Sequence, residues 1–183
     1  MNYLEINQDR WSGTYPAPNV ESFIFRMYGR ILCHDYEMDG LGGERILDFG
    51  CGAGGNLRFF HTKGFDVYGV DISKNDIALA KRRMPKVESH FTVISPKPTK
   101  IQTYFPELNL GNDENFDLII SIQTLDFLSD SDRQIVIENL FRNLKRGGLV
   151  YFTMNAWECY YRSHGIYVGD GLYHVKFKTD RIQ

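Results

Sequence analysis

The chain has 183 residues, 43% of them hydrophobic and 24% charged, with a formal net charge of −2. That length holds one domain with a sizeable core, and the charge balance carries no nucleic-acid footprint. No apolar run is long enough for a membrane span, and the polar start "MNYLEINQDRW" lacks the apolar core of a signal peptide. Cys33, Cys51 and Cys159 are odd in number and widely spaced, which argues against a disulfide framework or a metal cluster and for a reducing, cytoplasmic setting.

Residues 1–19 are polar and aromatic, contain Pro16 and Pro18, and read as an irregular arm. "NVESFIFRMYGRIL" (19–32) sets Val20, Phe23, Ile24, Met27, Tyr28 and Ile31 at helical spacing behind Asn19, a capping residue type. Arg26 and Arg30 share a face of that helix. "RILDFG" (45–50) predicts a strand, and "NLRFFHTKG" (56–64) a helix stopped by Gly64. "FDVYGVDI" (65–72) predicts a second strand. "SKNDIALAKRRM" (73–84) predicts a helix with Ser73 and Asp76 at capping-box spacing and Pro85 as its stop. "SHFTVIS" (89–95) predicts a third strand, followed by a long connection over 96–115. "FDLIISIQ" (116–123) predicts a fourth strand, "SDRQIVIENLFRNL" (131–144) a helix, "KRGG" a turn and "LVYFTM" (149–154) a fifth strand. "GIYVGDGLYHVKF" (165–177) predicts a hairpin turning at Gly169, Asp170 and Gly171. Alternation of apolar strands with helices points to a doubly wound α/β fold, its parallel sheet covered on both faces.

Between the first strand and its helix stand Gly50, Gly52, Gly54 and Gly55, with Asp48 just before them and Asp71 at the end of the second strand, 21 residues past Gly50. Strand, glycine turn, helix and a strand ending in an acid make the mononucleotide-binding half of a doubly wound fold. The glycines let the turn pass close to a ligand, and the acid can accept both hydrogen bonds of an adenosine ribose. "GCGAGG" fits G-x-G-x-x-G, which keeps a nicotinamide dinucleotide in view, and equally G-x-G-x-G. Asp48 separates the two. A carboxylate there repels a pyrophosphate and attracts an ammonium.

With those residues in place, the chain resembles the class I S-adenosylmethionine-dependent methyltransferases. "ILDFGCGAGGNL" is similar to the family's first motif, "VDIS" to its ribose-binding strand end, "FDLIISIQTLDFL" to its fourth-strand motif, and "LFRNLKRGGLVYFTMN" to its last helix, turn and fifth strand. The likeness covers roughly residues 20–155. It implies a single domain over 1–183: an arm (1–19), a cofactor-binding core (20–155) and a substrate-side insert with a hairpin (156–183). It also implies a mainly parallel sheet of order 3-2-1-4-5. Only 29 residues follow Met154, so the family's closing antiparallel strand pair is expected to be missing and the chain to be C-terminally shortened. "TDRI", with Thr179 as cap, is similar to the start of a further helix. The fifth strand would then lie at an unpaired edge, to be covered by the hairpin or a second subunit.

The resemblance implies S-adenosyl-L-methionine as cofactor. Gly50, Cys51, Gly52 and Gly54 would line its methionine part, Asp48 would meet its amino group, and Arg26 its carboxylate. Asp71 would hold the ribose, Ile72 would lie against the adenine, and Ser121 and Gln123 would frame the sulfonium. Ser95 stands in for an acid that the family often has after its third strand. Phe127 occupies a position where the family often has His, which removes an imidazole base; Asp126 is the nearest alternative, with His164 and His174 behind it. The same residues have plainer readings: Asp48 and Asp71 as caps, Cys51 as a packed side chain, Gln123 as a partner of strand-end backbone, and the arginines as a solvated face. Tyr3, Trp11 and Tyr15 in the arm are lid or packing anchors. Trp157, Tyr160, Tyr161, Tyr167 and Tyr173 wall an acceptor pocket or form a packed surface or homodimer contact. The expected activity is methyl transfer to a small-molecule acceptor, with no metal and no nucleic-acid partner. The alternatives are an NAD(P)-dependent oxidoreductase and a cofactor-binding module without catalysis.

Overall fold

A computed structural model describes residues 20–95 and 116–175. The arm, the 96–115 connection and "TDRI" lie outside them. The chain first forms helix α1 (Ser22–Arg26), a π-helical turn (Met27–Leu32) and α2 (Cys33–Asp35) as one continuous rod. Glu21, not Asn19, precedes the first turn, and its side chain makes no cap. The π-turn also corrects the predicted buried face. An i→i+5 turn adds a residue per turn, so Leu32 swings inward (1% exposed) and Ile31 outward (38%).

Strand β1 (Arg45–Phe49) leads through the glycine turn into α3 (Gly55–Lys63), which Gly64 ends in the left-handed region at φ 105°. Strand β2 (Asp66–Asp71) leads into α4 (Lys74–Arg83), whose Ser73 hydroxyl accepts the Asp76 N–H as predicted. A 3₁₀ helix (Pro85–His90) takes up the start of the predicted third strand, and β3 is only Phe91–Val93. Strand β4 (Phe116–Ser121), a 3₁₀ turn (Leu125–Phe127), α5 (Asp130–Arg142) and β5 (Leu144–Phe152) follow. The predicted "KRGG" turn is an irregularity inside β5: Leu144 pairs with Phe116, but Leu149 pairs with Leu118.

The sheet has the order β3-β2-β1-β4-β5, every pair parallel. Period-two alternation divides it into two cores. Ile46, Val67, Leu118 and Ile120 pack with Ile24, Met27 and Leu32 of the N-terminal rod, Leu57 and Phe60 of α3, and Ile77, Ala80 and Met84 around α4. Leu47, Phe49, Val70 and Ile119 pack with Val136 and Leu140 of α5 on the other face. Each fully buried Leu, Ile or Phe contributes about 1.5–3 kcal/mol.

Helix α6 (Tyr160–His164) and the antiparallel pair β6 (Ile166–Gly169) and β7 (Leu172–His174) complete the described chain. The hairpin forms its own two-stranded sheet and does not extend the main one. It does not pair with β5 as an edge cover. Its turn docks on the start of α5, where Asp130 N–H donates to Asp170 O (2.9 Å) and the Ser131 hydroxyl and N–H donate to the Asp170 carboxylate. Among the described residues no helix is long and apolar enough to cross a membrane.

Candidate cofactor site

The site forms where β1, β2 and β4 end, the place where open α/β sheets bind ligands. The turn after β1 hangs over β2, with Gly50 N–H and Cys51 N–H both donating to Val70 O at 2.8 and 3.0 Å. Gly50, Gly52 and Gly54 all have positive φ, at 83°, 51° and 78°. Their reasons differ. A Cβ on Gly50 would collide with Thr124, and one on Gly54 would lie 2.6 Å from the Met84 methyl. A Cβ on Gly52 would meet nothing within 4 Å. Two of these glycines therefore admit neighbouring protein, and Gly52 alone faces open space.

Asp71 joins the turn to α4. One carboxylate oxygen accepts the Gly52 N–H and the other the Ser73 N–H, both at 2.8 Å. Burial pushes its carboxyl up, and these backbone donors pull it back. The plain reading of Asp71 as a cap is thus correct in part. The Ile72 N–H also bears on this carboxylate, whose roughly four lone-pair sites leave room for a hydroxyl donor.

Asp48 has no such support. It is 1% exposed, and its Oδ1 has no hydrogen-bond partner. Burial, with the nearby Asp71 charge second, pushes its carboxyl up to about 8. Leaving a buried polar atom unpaired costs about 1–3 kcal/mol. An orphaned buried acid is what an incoming cation would satisfy.

The remaining predicted residues divide. Cys51 is buried, its Sγ donates to Gly52 O (3.4 Å), and burial raises its thiol well above the usual range. Its side chain fills the space beside Gly69, leaving only its backbone to face a ligand. The Ser121 hydroxyl donates to Phe49 O (3.1 Å) and pins β4 to β1. Gln123 is exposed at φ 51°, its N–H held by the Thr153 hydroxyl at 2.9 Å. Thr153 N–H donates to Ser121 O, and the Asp126 carboxylate accepts the Asn155 N–H at 3.0–3.1 Å. The acid predicted as a base is therefore one stitch of a seam that prolongs the β4–β5 pairing past the strands. Ile72 is half-buried beyond β2, and Ser95 is exposed beyond β3, where Ile94 N–H donates to Asp71 O. Arg26 is exposed at the end of α1. The rod reaches the site at its start, where Glu21 N–H donates to the Asn56 side chain (3.3 Å). Thr124, Thr153 and Asn56 escaped the sequence reading, because a lone Thr or Asn beside a strand end carries no motif.

The C-terminal aromatics form a surface cluster. The Arg162 guanidinium lies 3.5 Å from the Trp157 ring centroid and 5.4 Å from that of Tyr173. Tyr160 stacks on His164, and Trp157 is 76% exposed. His174 is also exposed.

The methyltransferase domain family matches residues 46–148, the span that carries the turn, both acids and the β4 side of the seam. The chain belongs to the class I S-adenosylmethionine-dependent methyltransferases. It is 32% identical over 122 residues to a ubiquinone biosynthesis O-methyltransferase of Bradyrhizobium diazoefficiens, covering 66% of this chain and 44% of that protein. It is 30% identical over 115 residues to a malonyl-[acyl-carrier protein] O-methyltransferase of Enterobacter lignolyticus, covering 61% of this chain and 39% of that one. The chain thus spans less than half the length of these two relatives. A methyltransferase structure from Geobacter sulfurreducens, in complex with S-adenosyl-L-homocysteine, shares the fold with a TM-score of 0.52 at 19% identity, over 82% of this chain and 54% of that one.

Proposed function

We propose that this methyltransferase binds S-adenosyl-L-methionine at the β1–β2–β4 end of the sheet and passes its methyl group to a small-molecule acceptor. One observation carries the cofactor reading: Asp48, buried with an unpartnered oxygen, is linked through Asp71, whose charge bears on it and whose carboxylate accepts the Gly52 N–H, to the one glycine of the three that faces open space. The oxidoreductase alternative is set aside because the matching domain over 46–148 is a methyltransferase domain, and a buried acid beside the turn offers a pyrophosphate no countercharge. When bound, the cofactor supplies a methyl group on a sulfonium, already an activated leaving group.

The chain's own part is position and field. Asp48 would pair with the ammonium and Asp71 would accept the ribose hydroxyls. Gly52 would leave room, and Ile72 would border the adenine. Ser121 and Gln123 would shape the sulfonium side through backbone set by the Thr153 and Asp126 seam. Displacement then needs the acceptor held in line with the breaking bond. A hydroxyl acceptor needs a base as well. Asp126 is the candidate, and it would serve only with a lone pair to spare from Asn155. Arg26 is proposed for the cofactor's carboxylate, and Ser95 for the adenine side. The whole chain is read as one domain with its core over 20–155.

Two features support a small-molecule acceptor. The net charge of −2 is not the cationic excess that a polyanionic partner calls for, and one of the two relatives named above is by name an O-methyltransferase of ubiquinone biosynthesis. A thermal-shift panel tests the cofactor reading. S-adenosylmethionine and S-adenosylhomocysteine should both raise the melting temperature and NADH should not; stabilisation by NADH alone would overturn it.

A further inference from the structure

We propose that Asp48 is a proton switch, neutral in the ligand-free protein and releasing its proton to solvent when the cofactor's ammonium docks against it. The inference rests on the cofactor reading above and deepens it. Parallel register places Asp48 opposite Gly69 on β2 and Ile120 on β4. Neither brings a side-chain donor. The space over Gly69 is filled by the Cys51 sulfur and the Phe91 ring, each 2.8 Å from where its Cβ would stand. Two residues beyond Gly69, on the same face of β2, comes Asp71.

Among the described residues the titratable groups on the packed elements bring no cation to Asp48: Arg58 and Lys63 of α3 are exposed, and neither they nor His61 bears on its carboxyl. The turn contributes the Cys51 thiol and β2 contributes Asp71, while β5 contributes Tyr151, half-buried against the same core. Helix α4 contributes Asp76 and Arg83, whose guanidinium turns to Ala53 O at 3.5 Å. Arg26 of α1 is exposed. Asp71 is the charge that bears on Asp48, and its sign is the wrong one for an ion pair. Ionised Asp48 would stand buried, partly unpaired and facing a second carboxylate. A protonated carboxyl avoids all three penalties, in line with a carboxyl pushed up to about 8. An arriving ammonium reverses the preference by supplying both the countercharge and the donors that Oδ1 lacks. The balance is one O–H bond broken at Asp48, one proton taken up by the buffer, and one charge-assisted hydrogen bond formed.

The test is calorimetry of the full chain with S-adenosylhomocysteine, at about pH 6.5 in two buffers of different ionisation heat, below the carboxyl's expected titration. Close to one proton should leave per ligand bound. Affinity should rise by close to tenfold per pH unit up to about 8, where Asp48 ionises unaided. Methylthioadenosine keeps the adenosine and thioether but lacks the ammonium, so it should bind with no proton release. Asp48→Asn, which mimics the neutral acid, should abolish proton release with S-adenosylhomocysteine. Release with methylthioadenosine, or release surviving in Asp48→Asn, would place the proton on another group and overturn the switch. Binding of S-adenosylhomocysteine with no proton release would show Asp48 already ionised and overturn the switch while leaving the cofactor reading intact. No binding at all would overturn the cofactor reading itself. Carbon-13 titration of the Asp48 carboxyl in the ligand-free protein reads the neutral state independently. A value near the ordinary 3.9 would contradict the switch.

Discussion

Alanine at Gly50 and alanine at Gly52 should separate packing from binding within a single turn. Both residues have positive φ, so a side chain at either costs about 1–2 kcal/mol of left-handed backbone strain. At Gly50 the new methyl also collides with the Thr124 side chain, and relieving such an overlap in a packed site costs about 1–3 kcal/mol more. Gly50→Ala should therefore lose about 2–5 kcal/mol of stability, which at about 2–4 °C per kcal/mol for a chain of this size lowers the melting temperature by roughly 5–20 °C. Gly52→Ala meets nothing within 4 Å, so it should lose only the strain, about 1–2 kcal/mol. Its methyl instead projects into the space proposed for the ligand. Differential scanning fluorimetry of the two variants, followed by calorimetry with S-adenosylhomocysteine, reads both effects. Gly50→Ala should melt much earlier, and shortening the obstruction with Thr124→Ser should restore part of the loss. Gly52→Ala should stay folded and lose most of its affinity. Equal destabilisation by the two alanines, or full affinity in Gly52→Ala, would refute the division of roles.

Asp71→Ala removes the acceptor for two backbone N–H groups and the proposed ribose partner. It should weaken S-adenosylhomocysteine binding by about 1–3 kcal/mol, and unchanged calorimetric affinity in a folded variant would contradict the assignment. Thr153→Val leaves the Gln123 N–H without its acceptor at a strained φ. It should cost about 0.5–1.5 kcal/mol in urea denaturation, whereas Thr153→Ser should behave as wild type. Burial and a raised thiol should make Cys51 the slowest of the three cysteines to alkylate, with Cys159 and Cys33 modified first by mass spectrometry. For Asp48 the folded carboxyl binds its proton more tightly than the unfolded one. Its contribution is complete below about pH 4 and is lost as pH rises through about 8, a change on the order of a few kcal/mol. Ligand-free wild type should lose urea resistance between those limits, and Asp48→Asn should not.

What was legible in the sequence had local causes. Gly64, Ser73 and Pro85 punctuate their elements through backbone rules that act within a few residues, and α3 and α4 stand where those residues predict. The hairpin turn at Asp170 and Gly171 was legible for the same reason. Its docking on Asp130 and Ser131 was not, because it depends on residues 39 apart in the chain. The N-terminal rod misled by one residue: spacing that fits an α-helix pointed to Ile31, and a π-turn inside the rod buried Leu32 instead. The glycine turn was recognisable as a binding turn, yet the reason for Gly50 lies in Thr124, far away in the chain and next to it in space. Asp126 shows the same limit, since its Asn155 contact appears only once β4 and β5 are side by side.

A crystal structure of the full chain with S-adenosylhomocysteine tests the central claim most directly. The account predicts the ligand's ammonium within about 2.7–3.0 Å of an Asp48 carboxylate oxygen, its ribose hydroxyls on Asp71, and its methionine part over Gly52. A ligand bound elsewhere, or bound over the turn with Asp48 still buried and unpartnered, would contradict it.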